Sequence, residues 1–277
     1  MSNYRLSNFS ILPTVVKNLL IINGLCFLAY VVLAGRGLIN LNETLGLYYP
    51  ESKLFKPYQL ISHVFMHGSF MHLFFNMFSL WMFGNVLENY WGPKRFFIYY
   101  FVTAFGAAAL HIGVNAFEVI QMKDAIAAYI SAPGYDAFLT LQDKLDPALM
   151  DNSYFQSFMR EWQMQKDNPQ LIQGSIEITD AMIQRKINVP TVGASGAVFG
   201  LLLAFGMLFP NTELIMLFFP FPIKAKYFVM IYGALELFQG ISNNPTDNVA
   251  HFAHLGGMLF GFILIKIWNK TNRHTFY

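Results

Sequence analysis

The sequence predicts an all-α, polytopic membrane protein. Its single domain, residues 1–277, would hold six transmembrane helices and a polar, partly helical, outward-facing insertion at 120–190 between the third and fourth. Three observations carry this. The chain is 55% hydrophobic and only 12% charged, against about 25% charged for soluble domains. Its apolar residues fall into runs of about 20, the length a spanning helix needs. One segment alone, 120–190, breaks that pattern.

Taken in order, the runs lie at about 14–35, 69–88, 95–119, 192–209, 223–240 and 249–268. The first, TVVKNLLIINGLCFLAYVVLAG, follows a stretch without a signal-peptide cleavage pattern and reads as a retained anchor. The second, SFMHLFFNMFSLWMFGNVLE, and third, RFFIYYFVTAFGAAALHIGVNAFEV, are interrupted by few polar residues. The insertion follows, with nine Asp or Glu against six Lys or Arg. Within it, DAFLTLQDKL and SFMREWQMQ are amphipathic and predict short helices. They read as a packed cap or an extramembrane loop, with a substrate-handling element as the sharper alternative. The fourth run opens with TVGASGAVFG, where Ser195 sits among Gly193, Ala194, Gly196, Ala197 and Gly200. The fifth and sixth are IKAKYFVMIYGALELFQG and VAHFAHLGGMLFGFILIKIW.

Charge orients the spans. Arg5, Lys17, Lys94, Arg95, Lys224, Lys226, Lys266, Lys270 and Arg273 all fall on one side of a six-span arrangement, whereas the last opposite loop carries Asp247. The positive-inside rule puts both termini in the cytoplasm, and the expected setting is a bacterial plasma membrane. Spans two, four and six then begin at the outer surface. A net charge of +2 excludes a strongly basic nucleic-acid binder. The single cysteine, Cys26, excludes an intrachain disulfide. The aromatic runs FFIYYF and LFFPF face lipid and interface rather than a cofactor.

Polar groups inside spans are functional candidates by default. His72 and Asn76 share one face of the second span, Ser195 opens the fourth, and His251 and His254 open the sixth. All lie within about two turns of an outer end, at most roughly 10 Å deep at 1.5 Å per residue. Gly196 with Gly200, and Gly257 with Gly261, make small-residue faces through which spans four and six can approach. That approach carries His254 towards Ser195. A serine with a base in reach is a nucleophile, and His254 would take its proton and return it to the leaving amine. Asn76, His72 and the Ser195 backbone N–H would supply oxyanion donors. Each feature has a plainer reading. A serine in a small-residue face is usually packing, and His111 and His251 read as interhelical donors. His63 and His67 could make a metal pair only with His72 as third ligand, so neither a metal nor a cofactor is expected. Glu236 and Asp247 remain unassigned beside the dyad.

These residues resemble the rhomboid intramembrane serine proteases, over roughly 14–268 without the insertion. Gly193-Ala194-Ser195-Gly196 matches the family's Gly-x-Ser-Gly nucleophile motif, and His254, Gly257 and Gly261 match its His-x-x-Gly-x-x-x-Gly pattern. His72 and Asn76 match its His-x-x-x-Asn oxyanion pair. His67, in HGSFMH, matches a recurrent histidine, and Phe199 an aromatic packed on the catalytic ring. ENYWGPKRF, 88–96, is similar to the family's loop after the second helix. His251 does not fit the spacing and stays a rival base. The resemblance implies a Ser195–His254 dyad that cleaves peptide bonds in or near transmembrane segments of membrane-protein substrates entering past the fifth helix. The alternative, a catalytically silent member that binds membrane clients, is marked by loss of the serine or histidine, and both are present. An ion transporter would want charges near the midplane and paired broken helices, and a metalloprotease would want His-Glu-x-x-His; neither occurs.

Overall fold

A computed structural model describes residues 10–215, 221–242 and 249–273. Arg5 and Asp247, most of the GISNNPTDN loop and most of the LFFPF run lie outside the described residues. The chain is built of helices, α1 (Thr14–Gly35), α2 (Phe70–Trp91), α3 (Pro93–Ser131), α4 (Tyr135–Leu145), α5 (Ser153–Met164), α6 (Pro169–Ile187), α7 (Ser195–Leu208), α8 (Ala225–Ser242) and α9 (His251–Arg273), besides shorter turns. A two-stranded antiparallel hairpin, β1 (Glu213–Leu214) and β2 (Ile223–Lys224), pairs Glu213 with Lys224 between α7 and α8.

Among the described residues, four helices are long and apolar enough to cross a membrane: Thr14–Gly35, Phe70–Trp91, Pro93–Ser131 and His251–Lys270. The fourth and fifth expected spans are different. Helix α7 has 14 residues, about 21 Å at 1.5 Å each, short of the roughly 30 Å hydrocarbon core. It is the central helix, with Gly196 through Gly206 largely buried. A helix enclosed by protein can end early because its neighbours, not lipid, meet its termini. Helix α8 has 18 residues and carries Lys226 and Glu236.

Helix ends are fixed by local chemistry. Ser69 caps α2, its hydroxyl accepting from the His72 N–H at 3.1 Å. Gly92, at φ 80°, ends α2 in a conformation that favours glycine, and Pro93 starts α3. Glu88 near the end of α2 accepts from the N–H groups of Val15 and Val16 at 2.9 and 2.8 Å, supplying negative charge to the start of α1. Arg95 lies over the Trp268 ring at 5.8 Å. The α1 start, α2 end, α3 start and α9 end therefore share one end of the body. Ser195, His254 and His72 start their helices at the other.

The body core joins α2, α3, α7 and α9 through Leu80, Leu87, Phe96, Tyr99, Tyr100, Leu201 and Ile265. Close approach runs through glycine. A Cβ on Gly257 would strike the Gly196 carbonyl, so α7 and α9 cross there with backbones in contact. Gly200 and Gly261, one turn further along the two faces, meet α3 instead of each other. A Cβ on Gly200 would lie 2.6 Å from Thr103, and one on Gly261 would strike the Tyr99 hydroxyl. Below the crossing, α3 fills the space between α7 and α9, and the Tyr99 hydroxyl donates to the Gly200 carbonyl at 2.9 Å.

The third span was expected to stop near 119, where the insertion begins. Instead α3 continues without a break to Ser131, because no proline or glycine intervenes until Pro133 and Gly134. At 39 residues it is about 58 Å long, nearly twice a bilayer core. Its outer third, with α4, α5 and α6, forms a cap with its own core of Tyr129, Phe138, Phe155, Met159 and Trp162. The amphipathic stretches fall on α4 and α5. Asn152 and Asn168 cap α5 and α6.

Candidate functional site

The strand-like segment before α7 is pinned on three sides. Leu47 and Thr191 exchange backbone hydrogen bonds at 2.9 and 2.8 Å, and the Gly193 N–H donates to the His63 carbonyl at 2.9 Å. The Thr191 hydroxyl lies 2.9 Å from His111 Nε2, which also accepts from Asn115 at 3.1 Å. His111 Nε2 is thus taken up by Thr191 and Asn115. Gly193 takes φ 126°, which favours glycine. A Cβ there would lie 2.8 Å from the His72 ring and 3.7 Å from Ser195 Oγ. Its absence lets the His72 imidazole lie against the Gly193 backbone.

Ser195 is half-buried at the first position of α7. His254, one turn into α9, brings Nε2 to 2.9 Å from Ser195 Oγ. The Phe199 ring stacks on the His254 ring, centroids 4.1 Å apart and planes 7° from parallel. Helix α7 falls short of a full span, and the serine at its first position is partly accessible. The first N–H groups of α7 have no intrahelical acceptor. Asn76 is 4% exposed and its side-chain N–H₂ has no partner. A buried donor left unpaired is costly.

His67 is buried beside His72, ring centroids 5.0 Å apart, with neither nitrogen bonded. Burial holds its imidazole down at about 4, and the nearby His72 adds to that. His63 is lowered too, mainly by burial, and its Nδ1 pairs with the Gln59 carbonyl at 2.7 Å. His63, His67 and His72 do not converge as metal ligands. The group whose donor atoms do converge, within 4.8 Å, is Glu236, His251 and His254.

Glu236 was left unassigned on sequence, and here it is the missed member of the site. One carboxylate oxygen, Oε2, accepts from His254 Nδ1 at 2.8 Å and from His251 Nδ1 at 2.7 Å. His251, the rival base, reaches Glu236, while the bond to Ser195 comes from His254. The depth comparison that aligned the other polar groups would have found Glu236 as well. It is six residues from the outer end of α8, about 9 Å.

The Rhomboid domain family model matches residues 55–122 and 172–270. The chain belongs to the rhomboid family. Two curated relatives are similar to this rhomboid. An uncharacterized mitochondrial rhomboid protein of Schizosaccharomyces pombe is 24% identical over 236 residues, covering 80% of this chain and 55% of that protein. Rhomboid protein 1, mitochondrial, of Saccharomyces cerevisiae is 24% identical over 204 residues, covering 74% and 40%. The chain spans about half the length of the curated relatives it matches. The expected bacterial plasma membrane finds no support here, since both relatives are named as mitochondrial. Residues 123–171, from the outer end of α3 to the start of α6, separate the two matched segments of the rhomboid domain.

Proposed function

We propose that this rhomboid is an intramembrane serine endopeptidase that cleaves peptide bonds in or near transmembrane segments of membrane-protein substrates. The observation that carries it is the 2.9 Å contact between His254 Nε2 and Ser195 Oγ. His254 takes the hydroxyl proton as Oγ attacks the scissile carbonyl. The developing oxyanion meets the unpaired Asn76 amide, the His72 ring and the Ser195 N–H. His254 then gives its proton to the leaving amine. Water enters at the outer end of α7 and loses a proton to His254 as its oxygen bonds the acyl carbon; His254 then returns that proton to Ser195 Oγ as the Oγ–acyl bond breaks and the acid leaves. Gly193 and Gly196 supply the close approaches, Phe199 holds the ring, and Gly257 and Gly261 hold α9 in place. The cationic end, with Lys94, Arg95, Lys224, Lys226, Lys266 and Lys270, faces the cytoplasm-like side.

Cleavage of a single-span reporter in proteoliposomes tests this, comparing wild type with Ser195→Ala and His254→Ala. We expect turnover by wild type alone, and a fluorophosphonate adduct on Ser195. Equal cleavage by wild type and Ser195→Ala would remove the nucleophile. A folded wild type that neither cleaves nor labels would point to client binding without chemistry.

A further inference from the structure

We propose that Glu236 is a positioning residue for the reaction: its carboxylate fixes the tautomer and orientation of His254, making a Glu236–His254–Ser195 relay in place of a bare dyad. This rests on the protease assignment above and extends it.

The inference follows from what each atom can do. An ionised carboxylate only accepts hydrogen bonds. Oε2 lies 2.8 Å from His254 Nδ1, so that nitrogen carries the hydrogen. A neutral imidazole has one N–H, which leaves a lone pair on Nε2, 2.9 Å from Ser195 Oγ. The general base is thereby held in the one tautomer that can accept the serine proton. When the proton arrives, the imidazolium faces a carboxylate. His251 Nδ1, 2.7 Å from the same oxygen, holds the acid from its other side. Glu236 is 7% exposed, whereas Leu235, Leu237 and Phe238 around it are 49%, 48% and 70% exposed. At this level α8 thus turns Leu235, Leu237 and Phe238 outward and its one acid into the site. A carboxylate kept inside a span needs such partners.

The same three donors could be read as a metal site. The distances favour protons. Two ligands on one tetrahedral zinc at about 2.0–2.1 Å would stand about 3.3 Å apart, while the carboxylate–imidazole separations here are 2.7 and 2.8 Å.

The test uses the full chain in proteoliposomes, with a single-span reporter and a fluorophosphonate, comparing wild type, Glu236→Gln and Glu236→Asp. The amide of Gln keeps the shape but can donate to Nδ1, which would turn the Nε2 hydrogen towards the serine. We expect Glu236→Gln to lower kcat about 10²–10⁴-fold, with KM within about threefold and an unchanged melting temperature. We expect Glu236→Asp to recover at least about tenfold over Glu236→Gln, since it restores the charge though not the length. A purely structural role predicts the reverse order, because Gln is the better isostere. Full kcat in Glu236→Gln, or activity in Glu236→Gln equal to or above that in Glu236→Asp, would overturn the assignment. So would a wild type inactivated by a chelator and restored by zinc. In each of these cases wild type still labels Ser195. A wild type that neither cleaves nor labels instead brings down the protease assignment, and the relay with it.

Discussion

The body and the cap differ in whether their buried polar side chains all find partners. In the cap, Gln142 donates to the Asp146 carbonyl at 2.8 Å, Ser175 to Ile172 at 2.6 Å and Thr179 to Ile176 at 2.7 Å. Each of these bonds closes within a few residues on local backbone, while the Tyr129 and Ser175 hydroxyls bond each other between α3 and α6. At the outer end of the body, side chains bond each other across helices, Ser195 with His254 and His254 with Glu236. Among the described residues, the buried side-chain N and O atoms without partners, on Asn23, Asn42, His67, Asn76 and Tyr100, all lie outside the cap. The cap satisfies its polar groups as a small soluble domain does. The body keeps groups whose cost only chemistry or assembly would justify. The cores differ in kind too. Large aromatic rings sit in both, but in the body glycines also set the spacing of the helices, as where Gly257 meets Gly196.

Trp162→Ala should separate the two most sharply. Trp162 is fully buried, packs on Phe138 at 5.5 Å and Tyr135 at 5.7 Å, and donates to the Lys166 carbonyl at 3.1 Å. Its loss should cost about 3–5 kcal/mol, confined to α4–α6 and the outer third of α3. Limited proteolysis should cut there, while Ser195 labelling stays within about threefold of wild type. Labelling that falls as the cap opens would mean that the cap shapes the site.

Gly257→Ala probes the other core. A methyl there meets the Gly196 backbone, which has no rotamer to yield. Overpacking of this kind costs about 1–3 kcal/mol, and here it pushes α9 from α7 at the level of the Ser195–His254 bond. A lowered melting temperature with a labelling rate reduced at least about tenfold is expected, with the cap's proteolytic pattern unchanged. A normal labelling rate would show that α9 can shift without moving His254.

Much of this architecture was legible because membrane burial writes strong signals. The span 14–35 coincides with α1, and Pro133–Gly134 marks the end of α3. Ser195, His254 and His72 were legible from spacing and Phe199 from the family resemblance; Ser195, His254 and Phe199 come together in space, with His72 against Gly193. The length of α3 was hidden because its outer third is neither apolar enough for a span nor interrupted by a breaker. Helix α6 was not legible in the sequence, because its buried face mixes Leu171 and Met182 with Ser175 and Thr179 and so carries little apolar contrast. Glu236 was visible as an acid in an apolar run. Its partners depend on how α8 rotates about its axis, which tertiary packing decides. The divergence of Gly200 and Gly261 to α3 likewise depends on a third helix that no pairwise pattern reveals.

Acid should distinguish the two regions with the smallest effect. No histidine lies between residues 112 and 250, so the cap holds none. The body holds His67, 1% exposed, with its imidazole lowered from 6.5 to about 4 by burial. Between those values the unfolded chain binds the proton and the folded one does not. Stability is therefore fully present above about 6.5 and is lost as pH falls towards about 4. From pH 7 to pH 5 this single group accounts for about 2 kcal/mol. Thermal unfolding followed separately, by Trp162 fluorescence for the cap (the other tryptophans replaced by Phe) and by Ser195 labelling after heating for the body, should show the body midpoint falling and the cap midpoint holding. His67→Gln should flatten the body's pH dependence by that amount. If both midpoints fall together in wild type, the cap and the outer end of the body unfold as one unit, and their separate cores do not make them separate in stability.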